Sequence, residues 1–426
     1  MNGLSYDVAV IGTGAAGMAA ALAVSKRGFT SVLLDREDYM GGILLQCIHN
    51  GFGLHHFGEE LTGPEFSGRL EREVQKEKIP FKNGTTVLSI DKTEIGFALV
   101  LSSEKDGLET LECRSVILAM GSRERNRGNI RIAGDRPAGV YTAGLAQRLI
   151  NIDGYIPGKK VVIIGSGDIG LIMARRMTLS GAKVEAVVEI QAFPSGLTRN
   201  IVQCLEDYDI PLYLSHATLK INGKDRVTSV EIAPLENGSI QTDKAFTIDC
   251  DTVLLSVGLV PENELSSRSD VALNPVTNGP TVDSRLMTSV PGIFAAGNVL
   301  HIHDLVDRVA AEASRAGECC ADWLVSGVDS TKSGPNEISL RSGTNIRYTV
   351  PSSIDSTISN KVSLRSMVSL DKARIFLSAD GKELWSKKLI WVRPGEMIEV
   401  TLPQEILRSL NSPCVLSLQA EEGGIK

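Results

Sequence analysis

Two glycine phrases of one spacing, Gly12-Thr13-Gly14-Ala15-Ala16-Gly17 and Gly165-Ser166-Gly167-Asp168-Ile169-Gly170, constrain this chain more than any other feature. Each follows an apolar run that reads as a buried parallel strand, Tyr6 to Ile11 and Lys160 to Ile164, and each opens a helix. In such a unit the first glycine makes the tight turn, the second lets backbone approach a pyrophosphate, and the third lets helix pack on strand. The N–H groups at the helix start then face the anion. Asp35 closes the run Ser31 to Leu34 and Glu189 closes Val184 to Val188, each about 20 residues beyond its glycines, where a carboxylate grips a ribose diol. One such phrase is weak evidence, but two complete strand, turn, helix, strand, acid units predict a chain that holds two dinucleotides. The interval between them leaves room for one dinucleotide fold inserted in another, and a flavin and a nicotinamide are the expected pair.

The 426 residues suffice for two or three domains. The net charge of −7 and the lack of a block of five basic residues argue against nucleic acid as a partner. No 18-residue window is free of charge, glycine or turn signals, and the amino terminus runs directly into the first strand, so the expectation is a cytoplasmic protein without a transmembrane segment. Seven cysteines, an odd number without CxxC spacing, suggest neither a disulfide framework nor a metal cradle.

The pattern predicts an α/β fold: two Rossmann-like dinucleotide-binding domains, one inserted in the other, and a small C-terminal all-β domain. The first comprises residues 1–124 and 260–328, the second 125–259 and the β module 337–426. A helix is expected from about Asp304 to Leu324, then a linker rich in Ser, Gly, Asp and Lys from Ser326 to Asn336. Beyond it helical periodicity gives way to runs such as Ile346 to Val350, Lys361 to Val368, Ala373 to Ser378, Leu384 to Val392 and Met397 to Leu402, which suggest an independent sandwich suited to docking.

The order of these phrases, with Gly41-Gly42, the strand ending Ala119-Met120-Gly121, a second ending in Gly258 and the late Gly292-Ile293-Phe294-Ala295-Ala296-Gly297-Asn298, resembles the pyridine nucleotide-disulfide oxidoreductase superfamily over about residues 5–325. The resemblance implies FAD at Gly12, Gly14, Ala15, Ala16, Gly17, Asp35, Arg36, Gly42, Ala119, Gly121, Gly297 and Asn298. It implies NAD(H) at Gly165, Gly167, Asp168, Ile169, Gly170, Glu189 and Gly258. Asn298 stands where the superfamily usually has Asp. Where the disulfide reductases carry two cysteines after Gly-Gly, this chain has Cys47 alone, and a thiol relay needs two sulfurs. The phrases from Cys47 to Gly53, Glu60 to Glu65, Arg136 to Gly144 and His303 to Asp307 resemble the flavoprotein subgroup associated with glycerol-3-phosphate dehydrogenase and the α-type subunits of amino-acid dehydrogenases.

Glu189 favours NAD(H) over NADP(H), because a carboxylate accepts from a 2′-hydroxyl and repels a 2′-phosphate. Cys47 and His49 are the candidate catalytic groups, a thiol and an imidazole that tune the flavin or handle a proton, against the plainer reading of a packed cysteine and a loop histidine. His55 and His56 stand nearby without a metal-ligand pattern, so no metal is expected. His301 and His303 either join a helix start aimed at the flavin or simply cap that helix in a solvent-facing loop. Three functions stay open: an FAD-dependent NADH oxidoreductase without a redox-active disulfide, an electron-transfer subunit of a heteromeric dehydrogenase of the glycerol-3-phosphate or amino-acid type, and a non-catalytic flavin-binding scaffold. The β module is the expected docking surface for a partner flavoprotein dehydrogenase subunit or another copy of the chain.

Overall fold

The computed structural model describes residues 5–326, 336–408, 410 and 412–421, so the body of the expected linker lies outside the described residues. The chain forms two compact units: residues 1–45, 50–122 and 261–426 make the first, and residues 46–49 and 123–260 the second.

The first unit opens with strand β1 (Ser5–Ile11), helix α1 (Ala15–Lys26) and strand β2 (Ser31–Leu34). Helix α2 (Gly63–Lys76) starts at a capping box in which Glu65 Oε2 accepts from Thr62 N and Thr62 Oγ1, both at 2.8 Å. A meander follows, β3 (Thr85–Lys92), β4 (Phe97–Ser103) and β5 (Gly107–Leu118). The far half of β5 lies parallel to β1, pairing Ile117 with Val10, while its near half pairs antiparallel with β4. Val8, Val10, Leu33, Val116 and Ile117 are fully buried, which the unbroken apolar runs of a parallel sheet covered on both faces require.

The second unit repeats the plan. Strand β6 (Val140–Thr142) leads into helix α3 (Ala143–Asn151), then β7 (Lys160–Ile164), helix α4 (Asp168–Leu179) and β8 (Lys183–Val188). A short helix α5 (Thr198–Cys204) precedes β9 (Leu212–Tyr213). The strands β10 (His216–Gly223), β11 (Val227–Glu236) and β12 (Phe246–Asp249) form a second layer before β13 (Thr252–Leu255) returns to the parallel sheet. That sheet runs β6, β13, β7, β8, β9.

The chain then re-enters the first unit, where β14 (Ile293–Ala295) pairs parallel with the end of β5 and helix α6 (Val306–Ser326) packs on α1. A Cβ on Gly317 would lie 2.4 Å from the Ala20 carbonyl oxygen, so this glycine is what lets α6 approach α1 so closely. Helix α6 begins two residues later than expected, because Asp304 is held elsewhere, as described next.

The β module is a five-stranded sheet facing a three-stranded one, with Ile354, Leu364, Ile375, Leu377, Leu402 and Leu416 fully buried. It is not a freestanding body: it belongs to the first unit. Asp304 pairs with Arg365 and accepts from Met397 N at 2.6 Å, and Arg308 donates to the Met397 carbonyl at 2.7 Å. Ser352 donates through N and Oγ to the Val282 carbonyl at 3.1 and 2.9 Å. A linker composition reports only that the chain between two bodies is polar; it carries no information on whether those bodies touch.

Candidate functional site

Each glycine turn is described within its own unit. In the first, Gly12 has φ +101° and a Cβ on it would stand 2.4 Å from the Ala119 carbonyl oxygen; one on Gly17 would stand 1.8 Å from the Gly12 carbonyl oxygen. Gly14 is the opposite case, with nothing within 4 Å of a Cβ there. Glycine is thus required by close packing at the first and third positions, and at the second it leaves open space beside the start of α1. Ala15 and Ala16 form that start, with no acidic side chain in the first turn. This is a cradle of the kind a pyrophosphate fills.

Asp35, at the end of β2, is half-buried and turns toward the glycines. Its Oδ2 accepts from Thr13 N at 2.8 Å and Thr13 Oγ1 at 2.6 Å, and its Oδ1 accepts from Glu37 N at 3.1 Å. Arg36 beside it is exposed. Gly41 donates to the Thr13 carbonyl at 2.9 Å, and a Cβ on Gly42 would stand 3.4 Å from Gly14 Cα. Gly121, at φ +72°, also has nothing within 4 Å of a Cβ. The structure therefore gathers Gly12, Gly14, Gly42, Ala119 and Asp35 about one turn.

Gly297 and Asn298 rest on the same turn, since a Cβ on Gly297 would lie 2.9 Å from Ala16 Cβ. Beneath them is a cluster that the sequence did not reveal. Glu312, one-tenth exposed on α6, accepts from Gly297 N at 2.8 Å through Oε1 and pairs through Oε2 with His301 Nε2 at 2.9 Å and His303 Nε2 at 3.5 Å. His303 N donates to Asn298 Oδ1 at 3.0 Å. Both imidazoles are buried rather than solvent-facing, with side-chain exposures of 0% and 2%. Burial, then the adjacent His303, holds the His301 pKa below its ordinary value. Burial alone would raise Glu312, but the two imidazoles overcome it and hold the carboxyl well below the usual range. Their ligand atoms lie within 4.8 Å of one another, close enough for a metal ion to join them. The distances observed are those of a hydrogen-bonded network that fixes the turn at Gly297. The signal was faint because Glu312 is a turn and a half into a helix, eleven residues from His301.

Asp307 is a second residue the sequence did not single out for a role. Only 5% exposed, in the first turn of α6, it accepts from Gly53 N at 3.1 Å, His55 N at 2.9 Å and His56 N at 2.8 Å. It pins the segment carrying His55 and His56 by backbone alone.

In the second unit Gly165 has φ +90° and a Cβ on it would stand 2.1 Å from the Ser256 carbonyl oxygen, while Gly170 N donates to Ser256 Oγ at 3.0 Å. Gly167 precedes α4, which begins with Asp168 and Ile169. Gly258, at φ +96°, accepts through its carbonyl from Arg125 N at 3.0 Å. Glu189 holds its turn as Asp35 does, with Oε2 accepting from Ser166 N at 2.9 Å and Ser166 Oγ at 2.6 Å. Here the acid is 4% exposed, and it also accepts from Ser195 Oγ at 3.1 Å and Gln191 N at 2.9 Å.

Cys47 and His49 fall among the contacts of this second unit. Cys47 is 6% exposed, its sulfur 3.8 Å from Gln147 Oε1, and burial pushes the thiol up to about 12. Burial thus favours the neutral thiol over the thiolate at this position. Gln46 Nε2 donates to the Gly144 carbonyl at 2.8 Å and to Gln147 Oε1 at 3.0 Å. His49 is half-buried. Burial raises every one of the seven cysteine thiols, to between about 11 and about 12. Among the described residues no helix is long and apolar enough to cross a membrane.

Residues 6–317 match the model of the family described as pyridine nucleotide-disulphide oxidoreductase. The glutamate synthase [NADPH] small chain of Escherichia coli (strain K12) is 25% identical over 348 residues, 74% of this chain and 68% of that one. The mitochondrial dihydrolipoyl dehydrogenase of Caenorhabditis elegans is 25% identical over 76% of this chain and 69% of its own. Among solved structures, thioredoxin reductase of T. acidophilum superposes with a TM-score of 0.63 at 25% identity, covering 75% of this chain and 99% of that one.

Proposed function

Since the chain belongs to the pyridine nucleotide-disulphide oxidoreductase family, whose members bind FAD and NAD(P), we propose that this oxidoreductase passes hydride between NAD(H) and FAD without a redox-active disulfide. One observation carries the reading: two glycine turns, each tied to its own carboxylate, in a chain where Cys47 alone follows Gly41-Gly42 and burial pushes its thiol up to about 12. Bound together, flavin and nicotinamide supply the hydride chemistry, and the protein supplies position and a dry environment. Gly12, Gly14, Gly17 and the start of α1 hold the FAD pyrophosphate, Asp35 faces its ribose, and Gly42, Gly121, Gly297 and Asn298 complete the cradle. Gly165, Gly167, Gly170 and the start of α4 hold the second dinucleotide. Glu189 selects NADH, since it meets a 2′-phosphate with like charge. Cys47, which burial favours as a neutral thiol, and His49 are the groups that would tune the flavin or handle a proton.

A second reading, an electron-transfer subunit of a heteromeric dehydrogenase of the glycerol-3-phosphate or amino-acid type, is favoured by the β module. Its outer strand, Lys382–Val392, leaves Ile390 78% and Trp391 55% exposed. The small chain of glutamate synthase, named above, is by its name one component of a larger enzyme.

Anaerobic titration of the full-length flavoprotein with NADH and NADPH, followed by flavin absorbance, tests the proposal. Stoichiometric bleaching by NADH at about tenfold or more lower concentration than NADPH supports it; no bleaching by either overturns it. Turnover that appears only after a partner dehydrogenase subunit is added selects the second reading.

A further inference from the structure

The segment that follows Glu189 folds back over the second glycine turn. Ser195 N donates to Ser166 Oγ at 2.9 Å and Ser195 Oγ to Glu189 Oε2 at 3.1 Å. Leu197 N and Asn200 Nδ2 donate to Asp168 Oδ1 at 2.8 and 2.6 Å. Gly196 lies against the turn itself, where a Cβ would be 2.9 Å from Asp168 Oδ1 and 3.0 Å from the Ser166 carbonyl oxygen. The segment thus engages the acid, the middle of the turn and the first residue of the helix, the three places where a dinucleotide's ribose and pyrophosphate bind.

We propose that Ser195 is a specificity-determining latch residue: its hydroxyl occupies Oε2 of Glu189 and yields that oxygen to the 2′-hydroxyl of an incoming NAD(H). The inference rests on reading the second turn as the NAD(H) site. Glu189 Oε2 already accepts three hydrogen bonds, and its other oxygen is held by Gln191 N. A carboxylate oxygen has about two lone pairs to offer, so a ribose hydroxyl enters by replacing a donor. Of the three donors, Ser166 N and Ser166 Oγ belong to the turn. Ser195 is the exposed one and can turn its hydroxyl to water. Asp168 adds a second reason for the cover. A carboxylate at the first position of α4 compensates the helix start but repels a pyrophosphate, and the donors from Leu197 and Asn200 offset that charge. A 2′-phosphate gains nothing from the exchange, because the oxygen it would uncover is anionic.

The test is stopped-flow and equilibrium binding of NADH and NADPH to the full-length flavoprotein, comparing wild type with Ser195→Ala and Ser195→Thr. A Phe193→Trp background reports segment movement. We expect a wild-type rate that saturates with NADH as the latch opens, and tryptophan emission that changes at the same rate. Ser195→Ala should bind NADH about five- to tenfold tighter, the scale of one modest hydrogen bond removed from competition. Ser195→Thr should behave as wild type, and NADPH binding should change by less than about twofold. Equal or weaker NADH binding by Ser195→Ala, with NADH still bound, overturns the latch and leaves the site assignment standing. No NADH binding by any variant overturns the site assignment itself.

Discussion

The first glycine turn opens to space at Gly14, where a Cβ would meet nothing within 4 Å, whereas the second lies under Ser195 and Gly196. Both turns use the same internal brace, a carboxylate accepting from the backbone and hydroxyl of the residue after the first glycine, Thr13 in one and Ser166 in the other. They differ in what else that carboxylate and helix start must serve. Asp35 is half-buried and α1 begins with alanines, while Glu189 is buried and α4 begins with Asp168. A dinucleotide kept for the life of the protein suits the first arrangement; one that enters and leaves at each turnover suits the second. The glycine phrase specifies the turn alone; what surrounds each turn is set by other residues.

The largest effect should come from the third glycines. Gly17→Ala forces a methyl to 1.8 Å from a backbone carbonyl oxygen, while at Gly170 the nearest atoms are the Ser256 side chain at 2.6 and 2.8 Å and the Gly165 carbonyl oxygen at 3.0 Å. Backbone cannot step aside as a serine can, so Gly17→Ala should cost about 3 kcal/mol or more and lose FAD on purification. Gly170→Ala should cost about 1 to 2 kcal/mol, keep FAD and weaken NADH. Thermal melts and flavin content of the two variants decide this, and equal flavin retention would erase the distinction between the turns.

Next come the acids. Glu189→Gln removes a charge that accepts four hydrogen bonds, so NADH binding should weaken about ten- to a hundredfold, with FAD unaffected. Asp35→Asn should raise the FAD dissociation constant by about tenfold and leave NADH binding alone. Dialysis followed by flavin assay and NADH titration separates the two, and crossed effects would mean that the assignment of cofactor to turn is reversed.

Smaller still is the effect at Cys47. With the thiol pushed up to about 12, its ionisation contributes no step to the reductive half-reaction between pH 6 and 9, and Cys47→Ser should stay within about tenfold of wild type. A rapid-reaction pH profile checks both points, and abolition of flavin reduction with FAD still bound would refute direct hydride transfer.

The smallest effect lies away from both turns and serves as a control. Asp283 is 6% exposed, and burial, then the nearby Glu337, raises its carboxyl to about 6. A folded-state value above the unfolded one makes the stabilisation complete at low pH and lost as pH rises from about 4 to 6. Glu337→Gln should therefore stabilise the protein by about 1 kcal/mol at pH 8 and by almost nothing at pH 4, without altering either cofactor. Melts at the two pH values test the sign.

Much of the fold was legible because it is written in local patterns. The unbroken apolar strands before each glycine phrase, the acids after them and the strands Ile346–Val350 and Met397–Leu402 stand where periodicity placed them. The strands Glu337–Ser342 and Cys414–Ala420 were not singled out, since polar residues interrupt the apolar run in both. The site was less legible wherever partners are distant in sequence. Glu312 under Gly297, Asp307 on the segment Gly53 to His56, and Arg365 on Asp304 join residues across different elements, which no spacing rule connects. The cover over Glu189 escaped for another reason: Pro194, Ser195 and Gly196 read as an ordinary loop until their donors are seen to end on the turn.

The central claim, one retained dinucleotide and one exchanging dinucleotide in a single chain, is tested most directly by native mass spectrometry of the full-length protein before and after addition of NADH. The account predicts one FAD per chain as purified, surviving buffer exchange, and a second 1:1 mass increment with NADH that is lost on dialysis while FAD stays. Displacement of FAD by NADH, or two equivalent flavins per chain, would contradict it.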